Sequence, residues 1–474
     1  MAQTDVDLLS IDRGLVIAPA GCGKTQLIVE ALKRHGGPRP VLVLTHTNAG
    51  VAALRTRLDR AKIRPAVYRL STIDGFAIRL VGMFPQRAGI DPSQLTVERP
   101  PYRQIRISAC NILKADRIYD SIRATYDRLL VDEYQDCSQW QHAIVSYLSH
   151  VLPTCVLGDQ LQAIFGFGDD ALADWHQHVG THFPVSAELT TPWRWINSGA
   201  ADLGEWVLKA RANLLSGRTI DLRQAPAAVE WVQLDGSGND RPKQLKAGSA
   251  KPHTPEGTVL IIGDSMSPPS QQRLASQIPG ATVVEAVDLR DLVSFASTLD
   301  LKAADAVRRI ADFAASLMTG TSPDELMRRL QTIAAGRSRK DVSALEQAAQ
   351  NFQTTPNHAG AAALLDAIVD QSGVRVHRPA VLRACFRALK ECGKADGAAF
   401  HEAAVRAREQ YRMAGRTLPK RGVGSTLLLK GLEAEVCVVV EGDKLNAKNL
   451  YVALTRGSNR LIICSKSPVL PVIG

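Results

Sequence analysis

Eight residues near the start of the chain, A-P-A-G-C-G-K-T at positions 18–25, carry the clearest chemistry in the sequence. They follow the apolar run GLVIAPA and precede QLIVEAL, an order that spells strand, glycine-bearing turn, helix. Gly21 and Gly23 allow the backbone to curl until successive N–H groups face inwards, and the helix that follows adds its positive end. Ala20, Gly21, Cys22, Gly23, Lys24, Thr25 and Gln26 would thus form a cradle for phosphate oxygens. Lys24 supplies a point charge for the β- and γ-phosphates and Thr25 a hydroxyl for Mg²⁺. Such a site needs a carboxylate for the metal, and RLLVDEYQD (128–136) offers two at the end of an apolar strand. Asp132 would hold Mg²⁺ through its water shell, while Glu133 would orient and deprotonate an attacking water. Hydrolysis of a nucleoside triphosphate is the expected chemistry.

These residues need a scaffold that brings strand ends together. GLVIAPA (14–20), PVLVLTHT (40–47), PAVYRLST (65–72), YDRLLVDEY (126–134) and TCVLGDQ (154–160) read as buried strands separated by amphipathic stretches. Continuous apolar strands alternating with helices imply a parallel sheet covered on both faces, with chemistry at the carboxyl ends of the strands. The Pro- and Arg-bearing stretch 80–127 lacks strand periodicity and is expected as a small helical insertion. VEWVQL (229–234), GTVLIIGD (257–264) and ATVVEAVDL (281–289) predict a second α/β region, with 235–256 as a loop. From about 296 to 420 the pattern is helical and Ala-rich, after which GSTLLL, EVCVVVEG and NRLIICS are expected as strands.

Composition narrows the class without deciding it. The 474 residues are 45% hydrophobic and 22% charged, with a formal net charge of +10, a soluble globular profile that suits a polyanionic partner. Residues 372–421 hold twelve Lys or Arg against four acids, a net +8, and are expected to offer a surface for phosphates. The eight cysteines form no C-x-x-C pair, so reduced thiols are expected rather than zinc or disulfides. The opening residues carry acids and no apolar core of a signal peptide, and no apolar run approaches a membrane span. A cytoplasmic location is expected.

The DEYQD run resembles the DExQD box of UvrD/Rep-type superfamily 1 DNA helicases, and other segments resemble that family's motifs in the same order. VLTHTNAGVAAL (43–54) is similar to motif Ia, STIDGFA (71–77) to motif Ib and VLGDQLQAIFGF (156–167) to motif III. TPWRW (191–195) is similar to motif IV, LLLKGLEAEVCVV (427–439) to motif V and LYVALTRGSNRLII (450–463) to motif VI. The resemblance implies an α/β protein with two RecA-like parallel-sheet lobes of the P-loop NTPase type. Lobe 1A would span 1–190 with a small insertion at about 80–127. Lobe 2A would span 191–295 and 421–474, interrupted by a helical insertion at 296–420. It implies ATP and Mg²⁺ as cofactors, and movement 3′ to 5′ along single-stranded DNA or a duplex with a single-stranded end.

Roles follow by the same resemblance. Gln162 would contact the γ-phosphate, and Arg194 and Arg456 would act as arginine fingers from the second lobe. Trp193, where the family usually has Tyr, would stack on adenine, and Glu433 would meet the ribose. His46, Thr47, Asn48 and Thr72 would lie along DNA, with Phe165 and Phe167 under the bases. Several positions depart from the family pattern: Gln26 after GKT, His46 in motif Ia, Asp74 in motif Ib, Ser425 and Leu427 in motif V, and Gly168 in motif III. The ATPase parts are kept while parts that couple to DNA are altered. Small UvrD-like proteins of this layout also resemble the helicase-like subunit of the Gabija anti-phage system. That likeness implies a DNA-stimulated ATPase working beside an OLD-family nuclease.

Overall fold

The computed structural model describes residues 6–97, 100–166, 170–392, 399–414 and 418–472. Two six-stranded sheets flanked by helices make it an α/β protein, as expected for two RecA-like lobes. The first sheet is built from β1 (Arg13–Ile17), β2 (Val41–Thr45), β3 (Tyr68–Thr72), β4 (Arg128–Val131), β5 (Thr154–Gly158) and β6 (Val185–Glu188). Their spatial order is β3-β2-β4-β5-β1-β6, and all neighbours run parallel. Every residue of β2 and β5 is buried, which is why both read as unbroken apolar runs. Five of the six strands lie where the sequence predicts them. The sixth, VSAE, is an edge strand whose residues are exposed or half-exposed, so it has no apolar pattern.

The helices of this sheet include α1 (Lys24–Arg34), α2 (Asn48–Arg60), α3 (Ile73–Met83), α4 (Tyr102–Lys114), α5 (Gln139–Ser149), α6 (Trp193–Asn197) and α7 (Ala201–Leu215). Two cores separate on the alternation of the strands. Val41, Val43 and Leu130 face one way, with α1 and α2, and Leu42, Leu44, Leu129 and Val131 face the other, with α3, α4 and α5. The stretch 80–127 is helical, as expected, and α4 forms its body. Arg106 on α4 donates to both oxygens of Asp74 in the first turn of α3, at 2.7 and 2.6 Å, and to Asp170 at 3.0 Å. Gln141 on α5 donates to the same Asp74 at 3.1 Å. Asp74 is thus the residue that ties three helices together.

The second sheet comprises β7 (Val229–Gln233), β8 (Val259–Ile262), β9 (Thr282–Val283), β10 (Arg421–Gly424), β11 (Ala434–Val439) and β12 (Gly457–Ser465), in the order β9-β10-β8-β11-β12-β7. The segment 235–256, expected as a loop, contains the helix Asp240–Gly248. Its charged, mostly half-buried sequence DRPKQLKAG has little apolar periodicity to announce it. GSTLLL, expected as a strand, is a strand only to Gly424. The Ser425 hydroxyl accepts from Leu428 N at 3.2 Å and caps the short helix Thr426–Leu429. Between 306 and 414 the chain is mainly helical, over an apolar core that includes Phe295, stacked on Phe313.

By packing, the chain divides into two compact units: residues 1–231, 442–461 and 467–474, and residues 232–441 with 462–466. Residues 191–231 and 442–461, expected from their motifs in the second lobe, therefore pack within the unit that holds Lys24. Replacing Asp74 by Ala leaves Arg106 with one carboxylate and strips Gln141 of its acceptor. We expect Asp74→Ala to destabilise that unit by about 3 kcal/mol, read as a lower midpoint in denaturant. An unchanged midpoint would show that the three-helix tie carries no stability.

Candidate nucleotide site

The P-loop lies between β1 and α1, and its two glycines are needed for different reasons. Gly21 and Gly23 have φ of 78° and 90°, the left-handed region that L side chains rarely enter. A Cβ on Gly21 would also stand 2.6 Å from the Trp195 ring, and one on Gly23 would be 3.2 Å from Trp193 Cδ1. The TPWRW segment thus packs directly on the loop, and Arg194 N donates to Gly21 O at 3.0 Å. Trp195 is fully buried and its indole N–H donates to Gly457 O at 2.9 Å. Ala20 N donates to the hydroxyl of buried Tyr451 at 3.1 Å. Burial pushes the Cys22 thiol up to about 12, against the pull of Arg211.

Lys24 stands on the first turn of α1, with its ammonium 3.0 Å from Asp132 Oδ1 and 2.5 Å from Glu133 Oε1. Burial alone would lower its pKa, but the two carboxylates outweigh that and hold it above its ordinary value. Burial likewise raises Asp132, with Lys24 pulling the other way. Glu133 sits at φ 55°, ψ 41°, a left-handed conformation that costs a non-glycine residue about 1–2 kcal/mol. Strain of this kind gathers where a side chain must be aimed. Its carboxylate also accepts from Gln135 Nε2, whose own Oε1 accepts from Asp159 N at 3.2 Å. Gln162 Nε2 in turn donates to Asp159 Oδ2 at 3.2 Å. Lys24, Asp132, Glu133 and Gln162 are therefore joined in one hydrogen-bonded group.

The residues fit a hydrated metal ion. Thr25 follows Lys24 on the helix, and Asp132 follows the last residue of β4, on the face that α1 covers. Thr45 ends β2 one place beyond the register pair Leu44↔Val131, which sets it beside Asp132. Its hydroxyl is buried with no hydrogen-bond partner among the described residues, a group suited to metal-bound water. Gln26 is exposed and donates to Glu30 Oε1 at 2.6 Å, so its side chain turns along α1.

Arg194 and Arg456 meet at one residue. Arg194 donates to Thr455 O, and Arg456 Nη2 donates to Thr455 Oγ1 at 2.7 Å. Arg456 is buried, with Nε donating to Val452 O at 2.9 Å, while the Arg194 guanidinium lies 5.4 Å above the Trp195 ring. Glu433 is exposed just before β11, in the other compact unit.

Of the residues expected to meet DNA, Thr47 and Thr72 cap α2 and α3, accepting from Gly50 N at 3.0 Å and Gly75 N at 2.9 Å. Thr45 and Thr72 are register partners, so both helix N-termini open at one end of the sheet, beside exposed Asn48. The His46 and Phe165 rings pack 5.6 Å apart at 47°. Phe167 and Gly168 lie outside the described residues. In the basic stretch 372–421 several cations serve the interior. Arg378 is buried against Glu285 and Asp291, Arg408 is buried beside Glu409, and Arg375 donates to backbone carbonyls. Arg383, Arg387 and Lys390 remain as an exposed stripe on the helix Pro379–Cys392, and Lys394 and Arg416 lie outside the described residues.

Residues 99–173 match the family model for the UvrD/REP helicase N-terminal domain, a segment from α4 through the DEYQD box to the end of motif III. No curated protein matches the chain. Among solved structures, an arterivirus nonstructural protein 10 helicase in complex with DNA is similar at 12% identity and a TM-score of 0.29, over 57% of this chain and 52% of that one. The Pif1 helicase of Candida albicans is similar at 11% identity and a TM-score of 0.39, over 98% of this chain and 94% of that one. The chain therefore spans about half the length of the first and nearly all of the second. Among the described residues no helix is long and apolar enough to cross a membrane, and no group of three His, Cys, Asp or Glu could hold a metal alone.

A test of the loop's geometry follows from Gly21. Gly21→Val combines backbone strain with a collision against Trp195. It should weaken binding of a fluorescent ATP analogue at least about tenfold, the equivalent of 1.4 kcal/mol. An unchanged Kd in a folded variant would mean that the loop does not hold the nucleotide.

Proposed function

We propose that the chain is an ATP-dependent DNA helicase or translocase that couples ATP hydrolysis to 3′-to-5′ movement on single-stranded DNA, in the cytoplasm. The observation that carries this reading is the contact of Lys24 with both Asp132 and Glu133, beneath a glycine loop of phosphate-binding shape. The family match over residues 99–173 supports it, since it contains the DEYQD box.

The residues divide the work in a definite way. Backbone N–H groups of the loop and the start of α1 bind the phosphates of the substrate ATP, and Lys24 neutralises charge on the β- and γ-oxygens. Thr25 and Asp132 would hold Mg²⁺, which supplies further charge neutralisation on those oxygens. As phosphate oxygens compete for Lys24, Glu133 is released to accept a proton from the attacking water. The water oxygen bonds to the γ-phosphorus, the bond to the bridging β–γ oxygen breaks, and ADP and inorganic phosphate form. Gln162 polarises the γ-phosphate. Arg194 and Arg456, packed in the same compact unit, would bring positive charge to the transferring group. Trp193 and Glu433 keep their proposed roles at the base and ribose. His46, Thr47, Asn48, Thr72, Phe165 and Phe167 would lie along the DNA strand.

A second reading is favoured by one observation. Asp74, in the segment resembling motif Ib, is committed to Arg106 and Gln141 rather than facing a strand. A DNA-stimulated ATPase that senses nucleic acid and switches a partner nuclease of the OLD family would tolerate that change more easily than an unwinding motor. Strand displacement by the isolated chain favours the motor, and DNA-stimulated ATPase without displacement favours the switch.

Lys24→Ala and Glu133→Gln should each lower kcat for ATP at least about 100-fold while single-stranded DNA still binds. Steady-state phosphate release, with and without single-stranded DNA, measures the first part, and fluorescence anisotropy the second. DNA-stimulated turnover at the wild-type rate in either variant would overturn the assignment of the site.

A further inference from the structure

Asp159, the residue that follows β5, is completely buried and gathers more polar contacts than its position in a motif explains. Its Oδ1 accepts from Arg211 Nε at 3.1 Å, and its Oδ2 accepts from Gln162 Nε2 at 3.2 Å. Tyr451, also buried, lies in the field of the same carboxylate, and its hydroxyl accepts Ala20 N of the P-loop at 3.1 Å. The main-chain N–H of Asp159 donates to Gln135 Oε1. Arg211 comes from α7, is 6% exposed, and spans from Asp159 to Glu188 on β6, 2.8 Å from its Nη1. No nucleotide-site motif contains it.

Hydrogen-bond polarity makes this cluster directional. A main-chain N–H only donates, so Gln135 must turn its carbonyl to Asp159 and its NH₂ to Glu133. A carboxylate only accepts, so Gln162 must offer it an N–H. The Tyr451 oxygen receives the loop N–H of Ala20. A carboxylate so deep in the interior calls for an opposite charge against it. Arg211 is that charge. The other ionisable groups near Asp159 are the thiol of Cys22 and the phenol of Tyr451.

We propose that Arg211 is a positioning residue for hydrolysis. Paired with Asp159, it orients Gln162 directly, while Gln135, fixed on the Asp159 main chain, aims Glu133. The proposal rests on the ATPase reading above and extends it to a residue outside every motif. Glycine at 158 belongs to the same device, because a Cβ there would stand 2.7 Å from Gln135 Oε1.

The test is steady-state ATP hydrolysis by the full chain with single-stranded DNA, for wild type, Lys24→Ala, Arg211→Lys, Arg211→Met and Asp159→Asn. Circular dichroism melts are run alongside. Arg211→Met should lower kcat about 10- to 100-fold with KM changed less than about threefold, since the groups it orients act in the chemical step. Arg211→Lys, which keeps the charge, should recover a substantial part of the loss. Asp159→Asn, which keeps the shape but removes the charge that Arg211 pairs with, should be slow in the same step. If Arg211→Met does not fold, the Lys and Asn variants carry the same comparison. Lys24-dependent turnover that is indifferent to Arg211→Lys, Arg211→Met and Asp159→Asn overturns the positioning role alone. A wild-type chain with no Lys24-dependent turnover overturns the ATPase reading and this proposal with it.

Discussion

A buried ammonium caught between two carboxylates sets the terms for this molecule. Lys24 and Asp132, both largely withdrawn from water, would each be expensive to hold there without an opposite charge, and the half-buried Glu133 adds a second one. Together they are compatible, and the architecture follows from the need to hold them together. Lys24 must leave the first turn of α1, which requires β1 and a tight glycine turn behind it. The carboxylates must stand at the end of β4, and β5 lies between β4 and β1. The parallel sheet is the frame that brings these strand ends level.

Around that triad the protein spends its buried polar groups on orientation. Gln135, Gln162 and Asp159 form one hydrogen-bonded chain beside the glycine loop, Tyr451 holds the loop at Ala20, and Arg211 balances the charge of Asp159. Glu133 lies in a backbone region that most side chains avoid, held there by the Lys24 contact and the Gln135 hydrogen bond. Trp193 and Trp195 close the outer side of the loop by packing against its glycines. The TPWRW and LYVALTR segments therefore both pack on the glycine loop and are joined to each other through Thr455.

Much of this was legible in the sequence, and the exceptions have physical causes. β2 and β5 were legible because central strands of a parallel sheet are apolar along their whole length. β6 was not, because an edge strand such as VSAE carries no such mark. GSTLLL has the composition of a strand, yet a serine positioned to cap and a following helical turn decide otherwise. Lys24, Asp132 and Glu133 could be read directly, since their types and their place at strand ends leave few other uses. Arg211 could not. An arginine in the amphipathic run ADLGEWVLKARANLL looks like a residue of the solvent face, and only the fold reveals the buried Asp159 opposite it. The basic stretch 372–421 misleads in the reverse sense, since Arg375, Arg378 and Arg408 serve the interior.

Cys22 lies inside the phosphate loop, flanked by the two glycines that give the loop its shape, and its thiol is almost never ionised near neutral pH. Alkylating reagents react with the thiolate, so the burial that shapes the loop also shields this position from them.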